Sequence, residues 1–302
     1  MRIPSCSVTN GVPGLTAALA LVAALLWSAC ALAQVRLYEV SVPLQGTTDA
    51  DRTAAMAEAL KAVAVRASGR REAADHPAIR DASPAKYLQR YSTTADRRLK
   101  VGFDGRSIEQ LLQQAGLPLW PAERPLTLVN APVADPAVLE AAAEWRGLPI
   151  AWSAGEANAA SSGARATLTG LPSGAEFAWT FTHDGRTAQA RGSAQAGIHL
   201  AADTLAARYA PASTRSSSSL SLRIGGMDDL ADYAGLLEYL RSLSLVREVE
   251  VESLDGDVVR LRMIVRGDRE LLGRIAALDG RLQPGAAADA GAEPDVDFVY
   301  QR

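Results

Sequence analysis

Apolar residues recur after residue 34, first in short alternating runs and then in stripes at helical spacing. Residues 35–42 alternate apolar side chains with Arg36 and Glu39, a period of two that predicts a strand. Residues 48–69 follow with a capping box, a terminal glycine and one apolar stripe, formed by Met56, Leu60, Val63 and Ala67. The pattern therefore predicts a strand followed by a helix that faces a sheet.

The following segment continues this alternation of helices and strands. Ser83-Pro84 predicts a short helix that runs through Tyr91. Residues 99–103 alternate as a strand, a helical stripe ends at Gly116, and residues 126–129 form another apolar strand. This order predicts an α+β fold that begins with an N-terminal α/β sandwich-like unit.

The C-terminal part has the pattern of a separate small domain. Residues 211–219 are rich in serine, a composition typical of a linker. Residues 220–302 predict a ferredoxin-like βαββαβ domain with a turn at Asp255-Gly256, an arrangement that supports many unrelated functions. The predicted division is thus a leader over 1–33, an α+β region over 34–210, the linker and the C-terminal domain.

The N-terminus has the layout of a secretory signal peptide. An apolar run over residues 15–27 is short for a membrane span, and small residues follow at Ala31 and Ala33. We therefore predict cleavage between Ala33 and Gln34 and a periplasmic mature protein. The alternative is a membrane-anchored lipoprotein, because the residues before Cys30 resemble a degraded lipobox.

Composition and charge limit the classes of function. The two cysteines, Cys6 and Cys30, both lie in the predicted leader, so the mature chain has no disulfide and no thiolate metal site. The 31 Lys+Arg against 34 Asp+Glu give a net charge of -3, which disfavours nucleic acid as a partner. We expect no cofactor and no membrane span in the mature chain.

Several short runs of residues carry a resemblance to a known family, and among them the spacing of Trp120 and Arg124-Pro125 is not dictated by secondary structure. They are Leu99–Asp104, Gly116–Trp120, Arg124-Pro125 and, earlier, Ser68–Arg70. With these residues the chain resembles a proteobacterial envelope family catalogued as domain of unknown function 2066, over most of residues 36–130. The resemblance implies an exported envelope protein and brings no catalytic residue with it.

The histidines give little support for catalysis or metal binding. His76, His183 and His199 have no second ligand at a helical metal-ligand spacing, so we predict no metal site. His183 beside Asp184 can form an acid-base pair, but Asp184-Gly185 also predicts the turn of a hairpin, which is the preferred interpretation. The local motifs therefore predict no enzymatic activity.

Trp120, followed by Arg124 and Pro125, is the feature least explained by local secondary structure. An exposed Trp-Arg pair is a common binding hot spot, whereas a Trp packed under a proline-containing turn is a core residue. We name Trp120, Arg124 and Pro125 as possible partner contacts, with Tyr233 and Tyr239 as weaker candidates. The exposure of Trp120 distinguishes the two interpretations.

Three functions remain open at this point. The first is a non-catalytic binding or assembly module of the cell envelope, with a protein or cell-wall-associated partner. The second is a small-ligand sensor, which requires polar groups that converge near Gly225 and Gly226. The third is a hydrolytic enzyme with dispersed catalytic residues, which requires two carboxylates at catalytic separation in one pocket.

Overall fold

The structure is a computed structural model that describes residues 36–153, 165–285 and 296–301, all within one compact unit. The predicted cleavage site at Ala33-Gln34 and the alternative anchor Cys30 lie outside the described residues. Within these ranges, no helix combines the length and the apolar character needed to cross a membrane.

The described residues form a mixed α+β fold with seven α-helices and three β-sheets, as the sequence predicts at this coarse level. The helices are α1 (Asp49–Ser68), α2 (Pro77–Arg80), α3 (Gly105–Gln114), α4 (Pro136–Arg146), α5 (Ala194–Tyr209), α6 (Leu230–Ser242) and α7 (Arg269–Ala276). The strands are β1 (Glu39–Pro43), β2 (Leu88–Thr93), β3 (Arg98–Phe103), β4 (Thr127–Asn130), β5 (Ile150–Trp152), β6 (Ala166–Ser173), β7 (Glu176–His183), β8 (Arg186–Gly192), β9 (Ser217–Gly225), β10 (Val246–Asp255), β11 (Val258–Arg266), β12 (Leu282–Pro284) and β13 (Phe298–Tyr300).

The first sheet is antiparallel in the order β1-β3-β2, and its inner face packs on α1 and α3. Helix α1 begins at the predicted capping box of Thr48 and Asp51 and ends at Gly69, whose φ is 72°. Of its predicted apolar stripe, Leu60, Val63 and Ala67 are buried. The prediction of this helix is therefore confirmed in its bounds and in its buried face.

Strand β2 stands where the sequence predicts a helix. Ser83-Pro84 does start a 3-10 helix, Pro84–Lys86, but residues 88–93 then pair with β3, and Tyr91 lies opposite Val101. The helix prediction was wrong because a local capping signal does not report hydrogen bonds to a strand that comes later in the chain.

The second sheet has the order β5-β4-β6-β7-β8, with parallel pairs around β4 and antiparallel pairs from β6 onward. Helices α4 and α5 share its apolar core. The β7–β8 turn is Asp184-Gly185, with φ of 47° and 70°, as predicted. The indole of Trp179 occupies the space that a Cβ would need at Gly170 or Gly197, which accounts for both glycines.

The third sheet has the order β10-β11-β9-β13-β12, and α6 and α7 share its core. Strand β9 begins at Ser217, whereas the sequence predicts a start at Leu220, so part of the serine-rich segment 211–219 is strand. Thr214 in this segment is buried. Strand β13 pairs in parallel with β9 and in antiparallel with β12, so the last strand lies inside the sheet.

Candidate functional site

Trp120 lies in the interior of the protein, with 0% of its surface exposed. Its backbone N–H donates to Ala67 O at 2.7 Å, which fixes it against the end of α1. The guanidinium of Arg124 stacks on the indole, with 3.7 Å between Cζ and the ring centroid. Of the two interpretations that the sequence left open, the structure therefore supports the core residue and not the partner contact.

Arg124 is also fully buried, and backbone carbonyls accept from its guanidinium. Nη2 donates to Arg66 O and Nη1 donates to Gly147 O, both at 2.6 Å, while Nε donates to Pro121 O at 3.1 Å. Burial, together with the nearby charges of Arg66 and Arg146, lowers the pKa of Arg124 well below its usual range. In this conformation no partner can touch the Arg124 side chain.

Arg66 and Arg146 form a buried arginine cluster with Arg124. Arg66 Nη2 donates to Glu144 O at 2.6 Å, and Arg146 Nη2 donates to Gly69 O at 2.9 Å. The three side chains thus close the carbonyl ends of α1 and α4. Positive charge is favourable there because the C-terminal carbonyls of a helix lack intrahelical donors.

The other predicted partner contacts are mostly buried as well. Pro125 is buried, and Tyr239 exposes 5% of its surface while its hydroxyl donates to Asp279 at 3.1 Å. Tyr233 is half-buried against the same core. Among the five predicted contact residues only Tyr233 keeps substantial exposure, since the others fill interior space.

The segment around Trp120 and its arginine docks onto residues next to the third sheet. Leu119 N–H donates to Thr214 Oγ1 and Ala122 N–H donates to Ser244 Oγ, both at 2.9 Å. Glu123, with 2% of its surface exposed, accepts from the backbone N–H and the hydroxyl of Ser244. The contacts of this segment are therefore made with the protein's own chain.

His183 has hydrogen-bond partners at both ring nitrogens. Nδ1 lies 2.9 Å from Arg165 O, which can only accept, so Nδ1 carries a proton. Nε2 lies 2.8 Å from the Tyr209 hydroxyl, within hydrogen-bond distance. Asp184 lies 3.5 Å from Nε2 and pairs more closely with Arg208, at 2.7 Å. This arrangement favours a structural role for His183 over an acid-base pair with Asp184.

The outer face of the first sheet carries a cluster of charges that the sequence analysis did not single out. Glu39 accepts from Arg90 Nη2 at 2.6 Å, from Lys100 Nζ at 2.7 Å and from Arg36 Nη1 at 3.1 Å. These bonds, with that of Lys100 the strongest, lower the pKa of Glu39 to about 2. We call these four residues the Glu39 cluster; its three cations exceed its single carboxylate.

Two grooves adjoin the Glu39 cluster, and both are lined by Arg36 and Glu39. The α4 groove, of about 460 Å³, lies between β1 and α4, and its other charged lining residues are Arg66, Lys100 and Glu144. The α3 groove, of about 600 Å³, lies toward α3, and its other polar lining residues include Tyr38, Gln89, Arg90, Glu109 and Ser244. The Glu39 cluster therefore lies between the α4 groove and the α3 groove.

Glu109 in the α3 groove is paired within the protein. It accepts from the Tyr38 hydroxyl at 2.9 Å and from Arg266 at 3.0 Å, and it forms a further salt bridge with Arg247. Burial, followed by the charge of Glu109, raises the pKa of Tyr38, so its hydroxyl remains a donor. Glu109 thus has two cationic partners, whereas Glu39 has three.

Strand β2 forms an exposed edge of the same sheet. Residues 89–93 are exposed, and Tyr91 shows 53% of its surface. Thr94 N–H donates to Arg98 O at 2.9 Å, so Thr94 faces β3, and strand alternation points the backbone groups of Tyr91 and Thr93 away from β3. No other strand of the described residues pairs with β2, so these groups face a free edge.

The place where the sensor hypothesis required a pocket is filled by the last strand. A Cβ on Gly226 would lie 2.7 Å from Tyr300 O, and a Cβ on Gly225 would lie 3.3 Å from Val296. The described part of the chain also contains no group of three potential metal ligands. We take the Glu39 cluster and the β2 edge as the candidate binding site.

The sequence carries only a weak signal for this site. Arg36 and Glu39 stand out as polar members of the β1 alternation, and Arg66 interrupts a run of Ala and Val in α1. Arg90 and Lys100 join them only through the register of β3 with its two neighbours. Since that register brings together residues far apart in the chain, strand patterns alone did not reveal the cluster.

Comparison with known proteins gives a family match for the N-terminal part of the chain. Residues 31–121 match the family described as domain of unknown function DUF8605. This match overturns the expected resemblance to domain of unknown function 2066, so residues such as Gly116–Trp120 do not identify that family here. The matched part contains the whole first sheet and all four residues of the Glu39 cluster.

The search of curated proteins found no match. A solved structure from a study of Aspergillus fumigatus N-acetylphosphoglucosamine mutase as an antifungal target aligns at 12% identity, over 65% of this chain and 46% of the mutase chain. The chain thus spans less than half of that structure. The TM-score of 0.15 supports neither a shared fold nor a shared activity.

Proposed function

We propose that the protein is a non-catalytic binding module of the bacterial cell envelope, which receives an extended acidic segment of a partner protein along β2. The observation that carries this proposal is the free edge of the first sheet. The outward N–H and C=O groups of Tyr91 and Thr93 are the groups that an added strand bonds in β-augmentation.

The surface beside this edge suits a strand with alternating acidic and apolar residues. Arg90 points to the outer face, where it bonds Glu39, and its side chain is 71% exposed. Tyr91 alternates to the other face and offers an exposed ring. An added strand can therefore place its carboxylates near Arg90 and its apolar side chains beside Tyr91.

Strand β10, an edge strand of the third sheet, is a weaker candidate for strand addition. It carries Glu248, Glu250 and Glu252, and two register shifts interrupt its pairing with β11. Charges and bulges of this kind protect sheet edges from further pairing. Strand β2 has one shift, near Leu88, and pairs regularly beyond it.

An alternating Glu–Val peptide of about eight residues tests strand addition, with an alternating Lys–Val peptide as the charge-reversed control. We expect the acidic peptide to slow amide hydrogen exchange at Tyr91 and Thr93 by about tenfold, measured by NMR, because these two N–H groups become bonded. The Lys–Val peptide should leave both rates unchanged, since it meets Arg90 with like charge.

Two variants of Tyr91 complete the experiment. Tyr91→Pro removes the outward N–H, a change that an edge strand tolerates, and should abolish the protection of Thr93. Tyr91→Phe keeps the N–H and the ring, so the acidic peptide should still protect Thr93 from exchange. The proposal is contradicted if the acidic peptide protects neither amide, or if both peptides protect them equally.

Export to the envelope is part of the proposal, and the signal-like N-terminal sequence is its support. Fractionation and intact mass of the full chain expressed in a bacterial host test it. A periplasmic species that begins at Gln34 supports the soluble form, and a membrane-bound species that begins at acylated Cys30 supports the lipoprotein form. An uncleaved cytoplasmic species contradicts export.

The same proposal extends to the detailed fold. The N-terminal part has helices α1 and α3 on one face of its sheet, which is consistent with an α/β sandwich-like unit. In the C-terminal part, the order β9-α6-β10-β11-α7-β12 follows the ferredoxin-like βαββαβ plan, with β13 inserted between β9 and β12. We infer that this domain serves as a scaffold beside the binding sheet.

A further inference from the structure

The α4 groove has a buried cation in its wall. Arg66 lines the groove although only 4% of its surface is exposed. Its Nη atoms donate to Arg36 O, Glu39 O and Glu144 O. Its Nε–H is buried and has no acceptor among the described residues. Arg66 therefore contributes its positive charge to the groove from within the wall.

Positive charge exceeds negative charge around the α4 groove. Its lining contains the three cations Arg36, Arg66 and Lys100 and the two carboxylates Glu39 and Glu144. Buried Arg124 lies close enough to Arg66 for each charge to affect the other, and it adds to the positive potential. A concave surface of this sign attracts anions.

The carboxylate of Glu39 shows how an oxyanion is held here. It accepts from Lys100 Nζ at 2.7 Å and from Arg36 Nη1 at 3.1 Å, with 12% of its side chain exposed. Both donors also line the groove, so they can bond a second oxyanion on its open side. Glu39 and such a ligand therefore compete for the same donors.

We propose that the α4 groove binds a small oxyanion, the phosphate or the carboxylate group of a ligand. Lys100 Nζ and the Arg36 guanidinium are its donors, buried Arg66 adds positive charge, and Glu39 opposes the anion by charge. The inference is independent of strand addition, because the groove lies between β1 and α4 whereas the added strand pairs with β2 at the opposite edge of the sheet.

Titration of the full chain with phosphate and, separately, with acetate at constant ionic strength tests this site by 15N NMR. The Nε–H resonance of Arg66 should shift and saturate. Lys100→Gln should weaken binding by about fivefold, and Glu39→Gln should strengthen it by a similar factor because the competing carboxylate is removed. Lys61→Gln is the matched control, since Lys61 pairs with Glu58 on α1 and does not line the groove.

The two anions distinguish the source of the ligand group. A response to phosphate alone supports a phosphate-bearing ligand, and a response to acetate supports a carboxylate. The proposal fails if the Arg66 resonance does not respond to either anion, if Lys61→Gln weakens binding as much as Lys100→Gln, or if Glu39→Gln weakens it. Tyr91→Pro should leave the titration unchanged, so failure of strand addition is distinguishable from failure of this site.

Discussion

Trp120→Ala should lower the free energy of unfolding by about 4 kcal/mol. The indole is fully buried, so its removal leaves a large cavity in a packed interior. The change also withdraws the ring on which the Arg124 guanidinium stacks. Urea unfolding followed by circular dichroism measures the loss from the shift of the transition midpoint.

Trp152→Ala is the matched control for this prediction. Trp152 is 36% exposed, and its indole N–H donates to Glu140 at 3.0 Å near the surface. We expect a loss of about 1 kcal/mol for this variant, because less apolar surface leaves the interior. Equal losses for Trp120→Ala and Trp152→Ala would contradict the core position of Trp120.

Arg124→Met should lower the free energy of unfolding by about 3 kcal/mol although methionine is apolar and of similar length. The substitution removes the cost of burying a charge, but it leaves the carbonyls of Arg66, Pro121 and Gly147 without the donor that they have now. The cost of leaving several buried carbonyls without a donor exceeds the free energy gained by removing the buried charge.

Arg90→Met tests whether this loss is specific to the buried arginine. Arg90 is 71% exposed, and its removal breaks one surface salt bridge with Glu39. We expect a change of about 0.5 kcal/mol or less in the same urea unfolding measurement. A stability of Arg124→Met equal to that of the wild type would show that the carbonyls are satisfied in another way.

The elements predicted correctly are those whose signals lie within one short stretch of sequence. The capping box before α1, the glycine at its end and the Asp184-Gly185 turn each depend on residues a few positions apart. Strand β2 depends instead on pairing with β3, and its local sequence resembled the start of a helix. Non-local pairing is the information that local patterns lack.

The candidate site likewise combines features that the sequence reveals locally with features that depend on contacts between distant segments. The Trp-Arg pair was recognised from its chemistry, but the sequence alone could not show that its partner is the interior of the same chain. Trp120 and Arg124 have the composition of a binding hot spot because stacking and multiple donors serve an internal contact equally well. The Glu39 cluster went unnoticed because its four charged residues come from three separate segments.

The buried arginine cluster extends beyond the part of the chain that the family model matches. The family match ends at residue 121, but the guanidinium that donates to Arg66 O belongs to Arg124. The stretch that the family model matches therefore ends before Arg124, whose side chain bonds a carbonyl in the last turn of α1. A fragment that ends at residue 121 lacks this donor, so its α1 would end with the buried carbonyl of Arg66 unsatisfied.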